Sequence, residues 1–199
     1  MSDPAVRTML LATSNPGKAA EFDDLLAGRG WSSLRPDQIG IRIEVAEEGE
    51  TFAENSARKA LAYSELTELP VLADDSGLEV DALHGAPGVR TARLAKGSDA
   101  DRTEALLSLM HGMPSPLRSA QFRSVVTIAR RGSVLAVGEG TLRGTILAAP
   151  RGESGFGYDP VFMPAGGECT LAQLGIAAKN SISHRRAAVL AALDELELG

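Results

Sequence analysis

Residues 8–18 run Thr8-Met9-Leu10-Leu11-Ala12-Thr13-Ser14-Asn15-Pro16-Gly17-Lys18, and this stretch decides the fold. The apolar run from Thr8 to Ala12 predicts a buried strand, and the small and polar residues from Thr13 to Lys18 predict the turn that ends it. A helix should follow, because apolar residues recur at the spacing of one helical face before two glycines end it: Phe22, Leu25, Leu26, then Gly28 and Gly30. The fold therefore opens with a strand, a loop and a helix.

A second helix is predicted from about Thr51 to Leu69. Thr51 can cap this helix, and Glu54 stands three residues further on, which is the spacing of a capping box. The short apolar run Val71-Leu72-Ala73 then predicts a buried strand. It leads straight into Asp74-Asp75-Ser76-Gly77, where we expect the strand to end in a turn.

The second half of the chain adds an antiparallel pair of strands and a last helix. Between Pro114 and Thr141, alternating apolar and polar residues predict two strands joined by the turn Arg130-Arg131-Gly132-Ser133. The last helix begins near Ser181 and carries on one face Ile182, Val189, Leu193 and Leu196. The glycine- and proline-rich stretch from Ala148 to Gly167 indicates functional loops rather than a domain boundary. This mixed order predicts a single α/β domain over residues 1–199 with an extended mixed sheet.

Composition excludes several classes of function. The 199 residues are 44% hydrophobic and can bury a sizeable core as one domain or as two closely packed lobes. A formal net charge of −6, with the basic residues dispersed, argues against a partner that is polymeric nucleic acid or an anionic membrane surface. Charged residues interrupt every candidate for a membrane span, so we expect a soluble protein. The single cysteine, Cys169, cannot form an intramolecular disulfide, which fits a reducing cytoplasm.

The turn from Thr13 to Lys18 suits a phosphate group. Backbone N–H groups at the start of a helix and the Lys18 ammonium both attract anions. An ordinary turn, bent at Asn15-Pro16-Gly17, is the alternative, because the loop has one glycine and no Ser or Thr after the lysine, unlike a Walker A loop. Spacing alone leaves both interpretations open.

Asp74 and Asp75 are candidates for catalysis. Adjacent residues of a strand point to opposite sides, so only one of the two carboxylates can face a given cleft. That carboxylate could hold Mg²⁺, which prefers oxygen ligands, or take a proton from an attacking water. The alternative is that the two residues only cap and bend a turn.

Four further groups could contact a nucleotide. The acidic residues Glu47, Glu48 and Glu50 could bind metal or merely favour the following helix, on which Asn55 and Lys59 share a face that could reach a phosphate. The stretch Gly155-Phe156-Gly157-Tyr158-Asp159-Pro160 could form a platform for a base, or a hairpin loop whose rings fill the core. Ser183-His184-Arg185, with Lys179 before it, offers hydrogen-bond donors to a purine carbonyl.

Taken together, these segments resemble the inosine triphosphate pyrophosphatases, also called the non-canonical purine triphosphate pyrophosphatases. The matching segments follow the family's order: Leu11 to Lys18; Thr51-Phe52-Ala53-Glu54-Asn55-Ser56-Ala57-Arg58-Lys59-Ala60; Ala73 to Leu78 with Gly85 to Val89 and Ala92-Arg93; Gly155 to Pro160; and Ser183-His184-Arg185. The resemblance runs from about residue 9 to residue 190. Departures are Thr91, where the family tends to have serine, and a loosely matched stretch from Pro164 to Ile176.

The resemblance implies a role for each matched residue. The triphosphate would be held by Thr13, Ser14, Asn15, Pro16, Gly17 and Lys18. Asp75 would be the catalytic base and a Mg²⁺ ligand, with Glu47 as the preferred second ligand, and Ser76 would contact substrate. Phe156, Gly157, Tyr158 and Asp159 would line the base and sugar pocket. Lys179, His184 and Arg185 would read the purine.

The resemblance also implies a fold and a reaction. The family fold is an elongated α/β structure with a mixed sheet and flanking helices, in which two lobes surround a central nucleotide cleft, and the protein is usually a homodimer. The reaction is Mg²⁺-dependent hydrolysis of inosine or xanthosine triphosphates, ribo or deoxy, to the monophosphate and pyrophosphate. A water deprotonated by Asp75 would attack the α-phosphorus.

Two alternatives stay open at this point. A house-cleaning pyrophosphatase for pyrimidine or modified nucleotides would share a similar architecture, although Ser183-His184-Arg185 argues against it. A nucleotide sensor would use the same loops to bind without hydrolysis, although Asp75 and Lys18 argue for an enzyme.

Overall fold

The computed structural model describes residues 7–198. Its strands are β1 (Arg7–Leu11), β2 (Trp31–Leu34), β3 (Val71–Val80), β4 (Ser119–Arg130), β5 (Ser133–Ile146) and β6 (Phe162–Pro164). Its α-helices are α1 (Pro16–Ala27), α2 (Phe52–Ser64), α3 (Asp99–Leu109), α4 (Ile176–Ile182) and α5 (His184–Leu198). Among these residues, no helix has the length and apolar character needed to cross a membrane.

The six strands form one mixed sheet in the order β2-β1-β3-β4-β5-β6. Strand β1 runs parallel to both β2 and β3, whereas β5 and β6 are antiparallel. Two residues, Arg131 and Gly132, join β4 to β5 with φ angles of 51° and 72°, the left-handed values that a two-residue hairpin turn requires. The predicted α/β class, mixed sheet and hairpin are confirmed.

The predicted turn at Asp74-Asp75-Ser76-Gly77 is wrong. These residues lie inside β3, which continues without a break from Val71 to Val80. Strand β3 has β1 on one side and β4 on the other. Pairing with two neighbours satisfies backbone groups along an extended strand, and such tertiary pairing overrides the local turn preference of Asp and Gly.

Helix α2 is shorter than its sequence predicts, ending at Ser64 rather than at Leu69. Its start is as expected in part: the Thr51 hydroxyl accepts a hydrogen bond from the backbone N–H of Glu54 at 3.1 Å. The reciprocal bond of a capping box is displaced by one residue, because the Glu54 carboxylate accepts from the N–H of Glu50 at 2.8 Å. At the other end the Ser64 hydroxyl donates to the carbonyl of Leu61, a local bond that competes with helix continuation.

Ile182 does not belong to the apolar face of the last helix. It ends α4, and Ser183 is extended, with φ −71° and ψ 150°, before α5 begins at His184. The Ile182 side chain is 43% exposed, whereas Val189 and Leu193 of α5 are fully buried. The predicted helix is therefore two helices separated by one extended residue.

The chain folds as two compact units. The first comprises the residues up to Asp75, Ser124–Gly140 and the residues from Arg185 onward. The second comprises Ser76–Arg123 and Thr141–His184. The core of the second unit is built from large apolar side chains that include Leu78, Leu106, Phe122, Ile146, Tyr158 and Phe162.

The core of the first unit has a layer on each face of the sheet. Met9, Leu11 and Leu72 pack in one cluster with apolar residues of α1 and α5. Val71 and Ala73 pack in another cluster, with Leu10 of β1, Ala12 just after it and Ala60 of α2. Successive residues of β3 thus point to opposite layers, one lined by α1 and α5 and the other by α2.

Helix α5 packs directly against the backbone of β5 at Gly138. A Cβ atom added to Gly138 would lie 2.0 Å from the carbonyl oxygen of Ala188 and 2.4 Å from the backbone nitrogen of Ala192. A side chain at this position therefore has to push the helix away from the sheet.

Replacing Gly138 by alanine should lower the free energy of unfolding by at least about 2 kcal/mol, because the added methyl group meets backbone that cannot move aside. Gly175→Ala is the matched control, since φ there is −71° and no atom lies within 4 Å of the added carbon. Its effect should stay within about 1 kcal/mol. Urea denaturation followed by circular dichroism measures both values, and equal destabilisation would contradict the close packing of α5.

Candidate active site

The turn between β1 and α1 lies beside the middle of β3. The parallel register pairs Leu11 with Leu72, and the N–H of Ala12 donates to the carbonyl of Leu72 at 2.8 Å. The turn that leaves β1 therefore runs next to Asp74. This register places the predicted phosphate loop beside the strand that carries the predicted catalytic carboxylates.

Asn15 fixes the start of α1. Its side-chain oxygen accepts from the N–H of Lys18 at 3.1 Å, and Pro16 occupies the first turn of the helix. The Thr13 hydroxyl accepts from the N–H of Asn15 at 3.2 Å. Ser14, Asn15 and Pro16 are exposed, so the positive end of the helix is open to an anion.

Asp74 lies on the face of the sheet that α1 and α5 cover. It is 1% exposed, and its Oδ2 atom accepts from the Lys18 ammonium at 2.9 Å and lies 3.8 Å from Nε of Arg185. Arg185 in turn donates to the Glu21 carboxylate at 2.7 Å. Glu21, Asp74, Lys18 and Arg185 form a buried network of two acids and two bases, which we call the Asp74 network.

The Asp74 network holds its aspartate ionised. Burial on its own would raise the pKa of Asp74, but the charges of Lys18, Arg185 and Lys59 together outweigh it and lower the pKa below the ordinary value. Asp74 is therefore a fixed anion that orients cations, and it is poorly suited to accept a proton.

Asp75 lies on the opposite face of the sheet, which α2 covers. Its Oδ2 atom accepts from the Asn55 amide at 2.9 Å. The other end of that amide accepts from the N–H of Gly49 at 2.8 Å, and Asn55 is 1% exposed. Asn55 therefore orients the Asp75 carboxylate, in an environment from which water is largely excluded.

The pKa of Asp75 is raised, whereas that of Asp74 is lowered. Burial is the largest cause and raises it, and the charges of Glu47 and Asp74 raise it further, whereas the Asn55 hydrogen bond and the Lys18 charge lower it; the result is a raised pKa. A carboxylate with a raised pKa is a stronger base, and proton transfer becomes more efficient as the pKa approaches the working pH. Asp75 is the member of the pair that can act as a general base.

Lys59, on α2, contacts both the backbone of β3 and Glu47. Its ammonium donates to the carbonyl of Asp74 at 3.0 Å and forms an ion pair with Glu47. Burial would lower the pKa of Lys59, but Asp74, Glu47 and Asp75 together raise it, so the side chain stays charged. Asn55 and Lys59 share one face of α2, as their spacing predicts, and both are directed at β3.

Asp75 and Glu47 could hold a divalent cation. The charge of Glu47 raises the pKa of Asp75, and a bound cation would relieve that repulsion. Over residues 7–198 no cluster of three or more acidic, histidine or cysteine side chains is placed to bind a metal. Two carboxylates suit Mg²⁺, which usually takes one or two protein ligands and completes its shell with water and substrate phosphates.

In the second unit, the loop Gly155–Asp159 is held from one side by an acid and a lysine. The Asp159 carboxylate accepts from the N–H of Phe156 at 2.9 Å and from the Lys179 ammonium at 2.5 Å. That ammonium lies 4.5 Å from the centroid of the Phe156 ring, a cation–π distance. Phe156 is half-buried, whereas Asp159 and Lys179 are buried.

The other predicted residues of the second unit are more deeply buried. Tyr158 is 3% exposed, belongs to the core, and donates from its hydroxyl to the carbonyl of Thr91 at 3.0 Å. His184 is also buried and stacks on Phe122, with ring centroids 4.9 Å apart and an interplanar angle of 11°. Ser76, in β3, is 6% exposed.

The structure sorts the predicted residues into two sets. The first unit carries the turn residues 13–18, Glu47, Asn55, Lys59, Asp75 and Arg185. The second carries Ser76, residues 156–159, Lys179 and His184. The boundary between the two units falls between His184 and Arg185, and Arg185 belongs to the Asp74 network.

Glu21 was missed by the sequence analysis. Its partner Arg185 is 164 residues away along the chain, so no local spacing joins the two. One signal was available: Glu21 lies three residues after Lys18 and four before Leu25, which places a charged side chain on the apolar face of α1. A charge at such a position requires a partner.

Comparisons with known proteins show the family of the chain. The model of the Ham1 family matches residues 9–195. The chain is 46% identical to the dITP/XTP pyrophosphatase of Symbiobacterium thermophilum, over 96% of this chain and 95% of that protein. It is similar to the solved structure of the Staphylococcus aureus Ham1 protein, with a TM-score of 0.82 and 35% identity over 96% of this chain and 98% of that one. A dITP/XTP pyrophosphatase structure from Mycobacterium abscessus gives a TM-score of 0.74 and 38% identity over 94% and 97% of the two chains.

The opposite pKa directions of the two aspartates predict opposite effects on stability. At pH 7.5, Asp75→Asn should raise the free energy of unfolding, because it removes an ionised carboxylate that burial disfavours, whereas Asp74→Asn should lower it, because it removes the anion of a buried network. Urea denaturation between about pH 3 and pH 8 measures both effects.

The pH dependence of the two stability effects checks this prediction. The penalty from Asp75 develops as pH rises from the ordinary aspartate pKa of about 3.9 through its raised value, so the gain from Asp75→Asn should vanish at the acid end. The stabilisation from Asp74 is present above about 3.9 and is lost as pH falls through its lowered value. Effects of the same sign at pH 7.5 would contradict the assignment of the two roles.

Proposed function

Because the chain belongs to the Ham1 family, we propose that it hydrolyses the triphosphates of non-canonical purines, ITP and XTP in their ribo and deoxy forms, to the monophosphate and pyrophosphate. The names of its relatives support this substrate class. The observation that carries the reaction is the adjacent pair on β3, in which Asp74 is held ionised by cations and Asp75 has a raised pKa. Removing such nucleotides would prevent their incorporation into DNA and RNA.

The triphosphate is assigned to the exposed start of α1. Its contacts would come from Thr13, Ser14, Asn15, Pro16, Gly17 and Lys18. The open N-terminus of the helix supplies a partial positive charge, and Lys18 adds a full charge whose position Asp74 fixes at 2.9 Å. Lys59, on α2, supplies a second cation that donates to the carbonyl of Asp74. Ser76 follows Asp75 as a further contact.

Asp75 is assigned as the general base. It would take the proton of a water molecule as the water oxygen attacks the α-phosphorus, and the bond from that phosphorus to the bridging oxygen breaks as pyrophosphate leaves. Asn55 holds the carboxylate in position through its Oδ2 atom. The chain forms no covalent bond to the substrate in this scheme.

Mg²⁺ is the proposed cofactor, with Asp75 and Glu47 as the side chains that would hold it. A bound Mg²⁺ supplies charge that offsets the negative phosphate oxygens. The ion pair between Glu47 and Lys59 ties the glutamate to the lysine that binds the backbone of Asp74.

The base is assigned to the loop of the second unit. Phe156, Gly157, Tyr158 and Asp159 would line the base and sugar, and Lys179, His184 and Arg185 would donate to the purine. Hypoxanthine and xanthine carry a carbonyl where adenine has an amine. A protein donor that faces this carbonyl would meet the amine of ATP, which is also a donor, so no hydrogen bond could form. Sites that recognise substrate by buried hydrogen bonds can discriminate by several powers of ten.

We propose further that the enzyme is a cytoplasmic homodimer. The family resemblance supports the dimer. The single cysteine supports a reducing compartment, since Cys169 is exposed and forms no disulfide within the described chain.

Pyrophosphate release from ITP, XTP, GTP, ATP and dTTP tests the proposed reaction, with Mg²⁺ and with the metal chelated. Metal-dependent release from ITP and XTP, with monophosphate as the nucleoside product and at least about 100-fold less from ATP, is the expected result. Activity mainly on dTTP would favour a pyrimidine-directed enzyme. Release of orthophosphate would overturn the assigned bond, and tight binding of ITP without turnover would indicate a sensor.

Asp75→Asn tests the assigned base. We expect kcat for ITP to fall by at least about 100-fold, because the amide cannot accept the proton of the attacking water. The free energy of unfolding of the same variant is the control, because the variant should be no less stable than the wild type. Near-normal turnover in a folded variant would remove Asp75 from the mechanism.

A further inference from the structure

The loop Gly155–Asp159 is also held from the side that faces α3. Asp99, the first residue of α3, accepts from the N–H of Gly157 at 2.7 Å through its Oδ2 atom. Asp99 is no part of the chemistry assigned above. We propose that Asp99 is a positioning residue that fixes the Gly157 peptide and thereby sets how well the loop binds and selects the purine. The consequence for selection rests on the proposed function.

A second residue of α3 holds the next peptide unit, on the other side of the Gly157 Cα atom. The Thr103 hydroxyl donates to the carbonyl of Gly157 at 3.3 Å. Asp99 and Thr103 are four residues apart and so lie on one face of the helix. Both the N–H and the carbonyl of Gly157 are therefore bound by α3.

Gly157 is the residue of the loop that most needs such anchors. Its φ angle is 61°, in the left-handed region that glycine enters freely, and no atom lies within 4 Å of the position a Cβ would take. A residue with this freedom and this space allows the peptide groups on either side of it to rotate unless hydrogen bonds prevent it. Asp99 and Thr103 supply those bonds.

The charge of Asp99 strengthens its hold. Burial would raise its pKa, but the Gly157 N–H and the Arg102 guanidinium together lower it, so the carboxylate is ionised at neutral pH. Arg102 also donates to the carbonyl of Gly97 at 2.9 Å. This bond ties the ion pair of Arg102 and Asp99 to the turn before α3. An ionised acceptor makes the bond to Gly157 about twice as strong as one between neutral groups.

Capping of α3 does not account for Asp99. The helix already has a complete capping box: the Ser98 hydroxyl accepts from the N–H of Asp101, and the Asp101 carboxylate accepts from the N–H of Ser98 at 2.6 Å. Asp101 thus completes the cap in the first turn of α3. Asp99 is directed at the loop instead.

The neighbours of Gly157 explain why its orientation matters. Tyr158 is fixed independently by the core and by its hydroxyl bond to Thr91. Phe156, on the other side, is half-buried and meets the Lys179 ammonium at 4.5 Å. Rotation of the peptide between Phe156 and Gly157 would therefore displace Phe156, the less buried ring of the loop, while Tyr158 stays in place.

Asp99→Ala, Asp99→Asn and the control Asp101→Asn test the proposal by two measurements. The first is hydrogen exchange of a peptide covering residues 155–159 in the nucleotide-free protein. The second is steady-state hydrolysis of ITP and GTP. Asp99→Ala should speed exchange of the loop, raise KM for ITP about tenfold with kcat within about threefold of wild type, and reduce the preference for ITP over GTP.

The conservative variant and the control separate positioning from stability. Asp99→Asn retains a side-chain oxygen that can accept from Gly157, so its KM should lie between those of wild type and Asp99→Ala. Asp101→Asn removes the same charge two residues away, and it should lower the melting temperature without changing KM or loop exchange.

Unchanged exchange and unchanged KM in Asp99→Ala would overturn the proposal, as would an equal rise in KM from Asp101→Asn. If Asp99→Ala does not fold, Thr103→Val removes the other anchor and carries the same expectation of faster loop exchange. Failure of the wild type to hydrolyse ITP would refute the proposed function alone, because loop exchange still decides whether Asp99 fixes the Gly157 peptide.

Discussion

Alternation along one central strand governs the arrangement of charge in the first unit. Because β3 has hydrogen-bonded neighbours on both sides, Asp74 and Asp75 stay extended and must point to opposite faces of the sheet. Asp74 therefore meets the cations of α1 and α5, and Asp75 meets the amide of α2. Two identical side chains, one peptide bond apart, thereby acquire opposite pKa shifts without any difference in their own chemistry.

Burial of these charges is tolerated because the Asp74 network contains two acids and two bases. A buried carboxylate that has lost its cation carries an uncompensated desolvation cost of several kcal/mol. Lys18 and Arg185 supply the cations for Asp74, and Glu21 in turn balances Arg185. Each member thus depends on another, which explains why a helix with an apolar face carries a buried glutamate. The same network fixes the ammonium that is assigned to phosphate.

Sequence reasoning succeeded where the determinants are local. The apolar spacing of α1, the Thr51 cap of α2 and the glycine turn after Arg130 each depend on residues within one or two turns of chain, and the structure contains all three. It failed at Asp74 to Gly77, since the extended conformation there comes from strands distant in sequence. Asp99 escaped detection for the same reason: its contact with Gly157 joins residues 58 apart, and an acid in the first turn of a helix is usually explained by the helix itself.

The direction of a pKa shift separates two kinds of acid in this protein. Asp74 and Asp99 both have lowered pKa values and both accept from N–H donors, of a lysine in one case and of a backbone glycine in the other. Such acids fix the positions of other groups, because their ionised form is the one the fold stabilises. In Asp75 burial prevails instead, and the fold keeps a carboxylate whose ionised form is less favourable than it would be in water. A folded protein has little reason to retain that arrangement for stability, so the unfavourable charge at Asp75 is itself an argument that the residue reacts.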